Sequence, residues 1–327
     1  MRLPVVGTAY AHGRSAVTAR AATNLWFERR DGEKAPVIAS SLPAANTIAT
    51  FANARTFYRS PSDALYAFIQ TSTELLQINP ANGAIVETHT LPDAASAMGL
   101  ARGGAGGVVV GAGGGGYAFS CDVGVSIAAE TISGEVPRSV CWSNGLYLIL
   151  AASGRVFWSA DGETWDALDY ANAAAQGDAG VPLFAIGDAV AIFGSRTIEI
   201  WGKTGNAKLP IKRIDGSVRM VGIRVFGSAC QVGDLVFFWG EPVGETPGLY
   251  VLDGAQVTRV GGHDMEWSLL TSNDVVLVSA FSMMGHRIIA LYGVGTGTTY
   301  WYDLSTQAIT RVSFGHPLAG PQQYIDY

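Results

Sequence analysis

The chain is poor in charge. Asp, Glu, Lys and Arg make up 15% of its 327 residues, and the net charge is -6. That is sparse for a protein whose whole surface faces water, and it favours a subunit that buries part of its surface against neighbours. No run of Lys and Arg occurs, and the densest basic points are Arg29-Arg30 and Lys212-Arg213. A nucleic-acid reader carries a basic stripe, so sequence-specific binding of DNA or RNA is not expected. Cysteine is scarce: Cys121, Cys141 and Cys230 are odd in number and widely spaced. This excludes a disulfide framework and a CxxC zinc site and predicts buried free thiols in a protein made in the cytoplasm. Uninterrupted apolar runs of 18 residues are lacking, so no membrane insertion is expected. Arg2 and Pro4 precede no sustained apolar stretch, so no signal peptide is expected either.

Catalytic and cofactor signatures are equally thin. The five histidines, His12, His89, His263, His286 and His316, are scattered, and neither HExxH nor G-x-S-x-G occurs. His263-Asp264 is a weak metal candidate and reads better as a surface turn. Gly111, Gly113 and Gly116 match G-x-G-x-x-G after Val108-Val110. A dinucleotide fingerprint needs a helix next, to present its N-terminus to the pyrophosphate. Tyr117-Ala118-Phe119-Ser120 reads as strand instead, so these are hairpin or loop glycines. No catalytic residue, cofactor or metal is expected.

What the chain has in plenty is strand-and-turn grammar. Short runs of Val, Ile, Tyr, Phe and Trp are bounded by Gly, Asn and Asp. Gly-Asp, Asn-Gly and Asp-Gly pairs supply the positive φ angles of tight hairpins. A turn residue followed by a stiff apolar strand recurs: Asp63 before 64–68, Gly106 before 107–110, Gly145 before 146–150, Asp188 before 189–193, Asp234 before 235–239 and Asp274 before 275–278. In the last case the equivalent strand could instead be 287–291. The interval of about 40–45 residues, with a second strand after each marker, is the propeller period. One four-stranded sheet with two apolar faces cannot bury both alone, whereas radial stacking buries them between neighbours.

The expected fold is therefore all-β: a closed β-propeller of about six blades with N- and C-terminal extensions. The blades fall near 48–91, 97–132, 138–168, 181–214, 228–260 and 267–312, giving an N-terminal segment 1–47, a propeller 48–312 and a tail 313–327. A β-sandwich with chance spacing is the alternative fold.

Two resemblances sharpen this. Ser159-Ala160-Asp161-Gly162-Glu163-Thr164-Trp165 resembles the Asp-box hairpin of sialidase-type propellers, in which the Asp holds turn amides and the Trp packs beneath. It implies structure rather than catalysis. It also keeps open an alternative function as a glycan-binding or sialidase-like propeller, although glycosidase carboxylates in a local pair are missing. A WD40- or kelch-like scaffold would repeat Gly-His and Trp-Asp pairs, and Trp165-Asp166 is the only Trp-Asp.

The second resemblance is broader. It rests on Phe193-Gly194-Ser195-Arg196-Thr197-Ile198-Glu199-Ile200-Trp201, then Gly216, Gly222 and Val232-Gly233-Asp234 leading into Phe237-Phe238-Trp239. Leu249 to Gly254, Val257 to Val260, Gly285-His286-Arg287 and Thr299-Tyr300-Trp301-Tyr302-Asp303-Leu304 follow in order, and Asn24-Leu25-Trp26-Phe27-Glu28 stands near the start. This series resembles the packaged-DNA stabilisation proteins, or tail nozzle proteins, of short-tailed phages. It is continuous over about 190–312, while 48–180 matches in style alone.

The resemblance implies a virion tail protein, assembled in the host cytoplasm as a homo-oligomer, a hexamer, below a tail adaptor protein. It implies contact with tail fibre, spike or needle proteins. It also implies passage of double-stranded DNA without sequence-specific binding. Asn24 to Glu28 is the candidate interface. Phe193, Gly194, Ser195, Thr197, Ile198, Glu199, Gly285, His286, Tyr302 and Asp303 form the family-like structural motif, with Glu199 expected to face solvent or a neighbouring subunit. Duplex DNA carries a charge about every 1.7 Å, so an acidic, charge-poor chain implies a neutral or negative bore. Such repulsion reaches about 8 Å at physiological salt, enough to centre a duplex in a close-fitting pore.

Overall fold

A computed structural model describes residues 25–28, 37–41, 56–59, 67–71, 74–79, 82–90, 99–102, 107–112, 115–120, 127–130, 135–162, 164–173, 180–270, 275–283 and 285–312. The period in the sequence becomes six successive antiparallel meanders, each written by one continuous stretch of chain. They are preceded by a hairpin of β1 (Leu25–Glu28) and β2 (Val37–Ser41). Sheet I holds β3 (Thr56–Arg59), β4 (Ala67–Gln70), β5 (Glu74–Ile78) and β6 (Ile85–Thr90). Sheet II holds β7 (Gly99–Arg102), β8 (Gly107–Ala112), β9 (Gly115–Ser120) and β10 (Ile127–Glu130). Sheet III holds β11 (Pro137–Ser143), β12 (Leu146–Ala151), β13 (Arg155–Ser159) and β14 (Tyr170–Asn172). Sheet IV holds β15 (Gly180–Ile186), β16 (Ala189–Gly194), β17 (Ile198–Asn206) and β18 (Leu209–Arg213).

Sheet V is larger. The short β19 (Val221–Gly222) pairs with the far end of β21 (Leu235–Pro242), which also carries β20 (Ala229–Val232). The chain continues into β22 (Gly248–Asp253) and β23 (Gln256–Arg259). A helix, α1 (His263–Leu270), then leads to sheet VI, made of β24 (Val276–Met283), β25 (His286–Gly293), β26 (Thr298–Asp303) and β27 (Ile309–Val312).

The recurring marker strand is the second strand of a meander: β8, β12, β16 and, in sheet V, β21, while 64–68 meets β4 only at 67–68, with 64–66 outside the described residues. The sixth equivalent is β25, so 287–291 rather than 275–278 continues the series, and Val276–Met283 is the first strand of sheet VI. The longer interval before it accommodates α1. The expected blade boundary at 267 is corrected accordingly, since 267–270 is helical. His263-Asp264, expected as a surface turn, likewise opens that helix.

Packing is serial, which excludes two stacked sheets. Alternation along β16 sends Val190 and Ile192 toward sheet III, where they join Leu148, Leu150, Val156 and Trp158. It sends Ala191 and Phe193 toward sheet V, where they join Val236, Phe238 and Leu252. With both faces covered, the strand reads as continuous apolar residues rather than as alternation. Sheets II and III share Ala101, Tyr147, Ile149 and Phe157. Sheets V and VI share Phe237, Trp239, Val278, Leu291 and Tyr300, joined by Met265 and Leu269 of α1. An edge-to-face series runs between sheets IV and V: Phe184 to Phe193 at 5.6 Å and Phe193 to Phe238 at 5.1 Å between ring centres. The far face of sheet VI buries Ile288, Ala290, Trp301 and Val312, and sheet I buries Ile69, Leu76 and Ile78. The fold is thus all-β and propeller-like.

Candidate functional site

The Phe193–Glu199 motif is where sheet IV is fastened to sheet V. Phe193 and Ile198 are fully buried on neighbouring strands. The turn between them closes through Gly194 N–H to Thr197 C=O (2.7 Å). The chain then passes from β18 to β19 across the same place. Arg219 and Ile198 exchange backbone bonds of 2.9 Å, and Ile223 N–H donates to Gly194 C=O at 3.0 Å. Gly222 makes this approach possible: a Cβ there would lie 2.3 Å from the Ser195 carbonyl carbon and the Arg196 nitrogen. Arg219 extends the fastening by donating from Nε to Ala255 C=O (2.8 Å) and from a terminal nitrogen to Gly216 C=O (3.0 Å). Ser217 both donates to and accepts from the Ile200 backbone.

Glu199 does not face solvent or a free rim. It is 3% exposed, and its Oε2 accepts the Trp201 indole N–H at 2.9 Å, with an Arg213 nitrogen at 3.8 Å. The residue shares a face with Trp201, and both point toward sheet III. A carboxylate in the middle of a strand reads as outward when one face is assumed wet. In a sheet packed on both sides it must be paired inside.

Gly285, His286, Tyr302 and Asp303 are brought together by the pairing of β25 with β26. His286 Nδ1 lies 2.7 Å from Asp303 Oδ2. The same carboxylate accepts Ser305 N–H and Thr306 Oγ–H, each at 2.8 Å, so Asp303 organises the turn to β27. Burial, followed by the charge on Asp303, raises the Tyr302 phenol above its usual range. The cluster is a structural lock rather than an acid-base pair presented to a ligand.

One charged centre escaped the sequence reading. Glu266 of α1 is buried and reaches back into sheet V, where it accepts Leu249 N–H (3.0 Å) and pairs with Arg259 (2.8 Å). That pairing is the leading cause that raises the Arg259 guanidinium. Gly248 and Gly261 leave the room, since a Cβ on Gly261 would lie 2.0 Å from Glu266 Oε1. Gly261-Gly262 followed by acids in a first helical turn was the signal available, in a segment too short to show helical periodicity.

The Asp-box resemblance holds in geometry. Ser159 Oγ–H donates to Asp161 Oδ1 at 2.8 Å, and the same oxygen accepts Thr164 N–H at 2.8 Å. The Trp165 indole donates to Gly162 C=O (3.1 Å) and packs on the core shared by sheets II and III. The G-x-G-x-x-G run is the β8–β9 hairpin, with strand on both sides as expected; Gly113 lies outside the described residues. Of the N-terminal candidate interface, Leu25, Trp26, Phe27 and Glu28 form β1, paired with β2, and Asn24 lies outside the described residues. Burial raises the Cys141 and Cys230 thiols far above their ordinary range; Cys121 is outside the described residues.

Among the described residues, no group of three His, Cys, Asp or Glu side chains is placed to hold a metal. Among them also, no helix is long and apolar enough to cross a membrane. The described turns between third and fourth strands, β13–β14 and β17–β18, lie on one rim. The described turns between second and third strands, as β21–β22 and β25–β26, lie on the opposite rim, as does α1 between sheets V and VI. The exposed apolar side chains Val243, Trp267 and Val294 all sit on the latter.

Comparison with solved structures returns propellers. The streptogramin B lyase structure superposes with a TM-score of 0.58 at 10% identity, covering 83% of this chain and 87% of that one. The virginiamycin B lyase of Staphylococcus aureus gives 0.57 at 13%, covering 82% and 85%. The Neurospora crassa Pan2 WD40 domain gives 0.56 at 11%, covering 80% and 79%. At these identities the likeness is one of fold alone. No curated protein sequence matches the chain. The sequence family described as Bacteriophage P22 Gp10, beta-propeller, matches residues 1–284. The match includes 48–180, where sequence reading found likeness only in style, and ends before Gly285.

Proposed function

The chain belongs to the bacteriophage P22 Gp10 β-propeller family, a family of phage structural proteins, and from this we propose that it forms the lower tail tube of a short-tailed phage. In this reading the six meanders are six blades. The far face of sheet VI, with Ile288, Trp301 and Val312, packs on sheet I to close the ring. Six copies surround a channel below the adaptor protein, retain packaged DNA in the filled head and conduct it at ejection. Residues 1–47, with Leu25 to Glu28 in the β1–β2 hairpin, dock on a neighbouring subunit or the adaptor. Fibre, spike or needle proteins attach at the distal end.

The observation that carries the reading is the family match over residues 1–284. Three features support it. Neighbouring sheets are fastened by backbone bonds as well as by apolar packing, as at Ile198 to Arg219, which suits a rigid wall element. Polar centres such as Glu199, Glu266 and Asp303 are consumed by structural bonds. Val243, Trp267 and Val294 leave apolar side chains exposed, available for burial against a neighbour.

Conduction then needs little from chemistry. Six equivalent weak contacts give avidity and cyclic symmetry, and an acidic chain gives a bore that repels rather than grips phosphate. The test is cryo-electron microscopy of virions together with a phage lacking this gene product. The reading expects six-fold density at the tail end, and heads that lose their DNA when the protein is missing. A lysine-rich bore, or wild-type DNA retention without the protein, overturns it.

A further inference from the structure

The turns between third and fourth strands place two unlike surfaces side by side on one rim. On sheet IV, the β17–β18 hairpin carries Lys203, Lys208 and Lys212, three of the four lysines in the chain. All three are exposed, and among the described residues no ion pair holds any of them. Leu209, also exposed, stands among them. The turn is rigid. Thr204 Oγ–H donates to Leu209 C=O, Asn206 N–H to Thr204 Oγ (3.0 Å), and Lys208 N–H to Asn206 Oδ1 (2.9 Å).

On sheet III, the β13–β14 turn carries Asp161, Asp166 and Asp169 and no cation. Asp161 is spent inside the turn. Asp166 holds Leu168 N–H through Oδ1 (2.9 Å), and Leu168 stands 83% exposed, the most exposed large apolar side chain described. One surface is thus a fixed acidic knob tipped by a leucine, and the other a fixed lysine cradle around a leucine.

They match in charge and in apolar centre, yet no ion pair joins them within one chain, although their sheets are neighbours. We propose that they meet between chains: the Asp166–Asp169 knob of one copy docks on the Lys203–Lys212 hairpin of the next. Because the two patches lie side by side, one pair of copies can make the contact twice about a two-fold axis, knob on hairpin and hairpin on knob; made singly and repeated head to tail, it builds rings or filaments. The inference rests on the reading of this protein as a homo-oligomer and names the surface that would join the copies. An edge strand bearing lysines also resists stray strand pairing, but that role needs no acidic partner.

The experiment uses two variants of the full chain. Variant one is Lys203→Glu/Lys208→Glu/Lys212→Glu, and variant two is Asp166→Lys/Asp169→Lys. Each sets like against like in its own contacts, whereas the two mixed present opposite charges at both contacts. Four of the five positions are exposed and Asp169 is half-buried; unchanged circular dichroism and melting temperature establish that each variant folds.

Sedimentation equilibrium across about 1–100 μM chain is expected to show self-association of the wild type that weakens with salt. Each variant alone should associate roughly tenfold more weakly, as a few exposed pairs dictate, and the equimolar mixture should return to within a few-fold of wild type. Equal association of wild type and both variants overturns the proposal, as does a wild type that stays monomeric or a mixture that fails to recover. Location of the protein in the virion is a separate measurement. Its failure would remove the tail reading and leave the result on this contact standing.

Discussion

Truncation of Glu266 is the sharpest test of how α1 is held. The carboxylate is buried, accepts Leu249 N–H and pairs with Arg259, and two glycines are kept free of Cβ atoms around it. Glu266→Ala leaves a buried amide without an acceptor, a cost of about 1–3 kcal/mol. It also strips Arg259 of its partner. Breaking a fully buried pair costs about 3–5 kcal/mol, but the Arg259 side chain is 34% exposed and can turn to water, so the smaller part of that range applies. Together the loss is about 3 kcal/mol. Glu266→Gln keeps the volume and one acceptor oxygen for Leu249 N–H, but it loses the charge and sets an amide NH2 against Arg259 in place of the second oxygen, for about 1–2 kcal/mol.

Urea unfolding followed by tryptophan fluorescence measures the difference between the variants. Hydrogen exchange at the Leu249 amide localises it: roughly hundredfold faster exchange is expected in the Ala variant, the equivalent of about 3 kcal/mol of lost protection. An Ala variant as stable as wild type, or a Gln variant as damaged as Ala, would refute the argument that the carboxylate fastens the helix to sheet V.

Gly222→Ala drives a methyl into the Ser195–Arg196 backbone and is expected to destabilise by about 2 kcal/mol or more; a thermal midpoint unchanged from wild type counts against the close fastening of sheets IV and V. Tyr302 holds its proton above the usual tyrosine value of 10.0 in the folded protein. The unfolded chain therefore releases it first, and stability that is complete below that value falls as pH rises toward the folded one. Tyr302→Phe should flatten the alkaline limb of a stability–pH curve, and an unaltered limb would contradict this. Burial that raises the Cys141 and Cys230 thiols should keep both unreactive toward iodoacetamide in the native protein and release them on unfolding; mass spectrometry of the two peptides decides.

The repeat was legible because second strands of meanders are the most completely buried and so the most uniformly apolar, as β12 and β16 are. The exception is instructive. In sheet VI the first strand, Val276–Met283, is as apolar as the second, and the turn-then-strand rule has no means of ranking them. Helix α1 was missed since eight residues hold barely two helical turns, and Glu266 at a buried position breaks the apolar stripe that would announce them. Glu199 misled for a related reason: alternation with Ile198 and Ile200 says which side it lies on, but not that a neighbouring sheet covers that side. The Asp-box and the His286–Asp303 lock were visible as motifs, and only coordinates supply the bonds that make them structural. The lysine cradle and acidic knob lie about 40 residues apart in sequence and become adjacent only through the common rim of successive third-to-fourth-strand turns.

Among the described residues, every sheet is encoded by a single segment of chain, with no strand borrowed from a distant one. Length can therefore be added at the joints between segments without shifting the register of any ladder. The α1 helix is such an addition, lodged between β23 and β24 while the sheets on either side keep their pairing. A lineage that needed a taller or differently shaped subunit could graft material at these seams one at a time, as a mason changes a coping stone and leaves the courses below untouched.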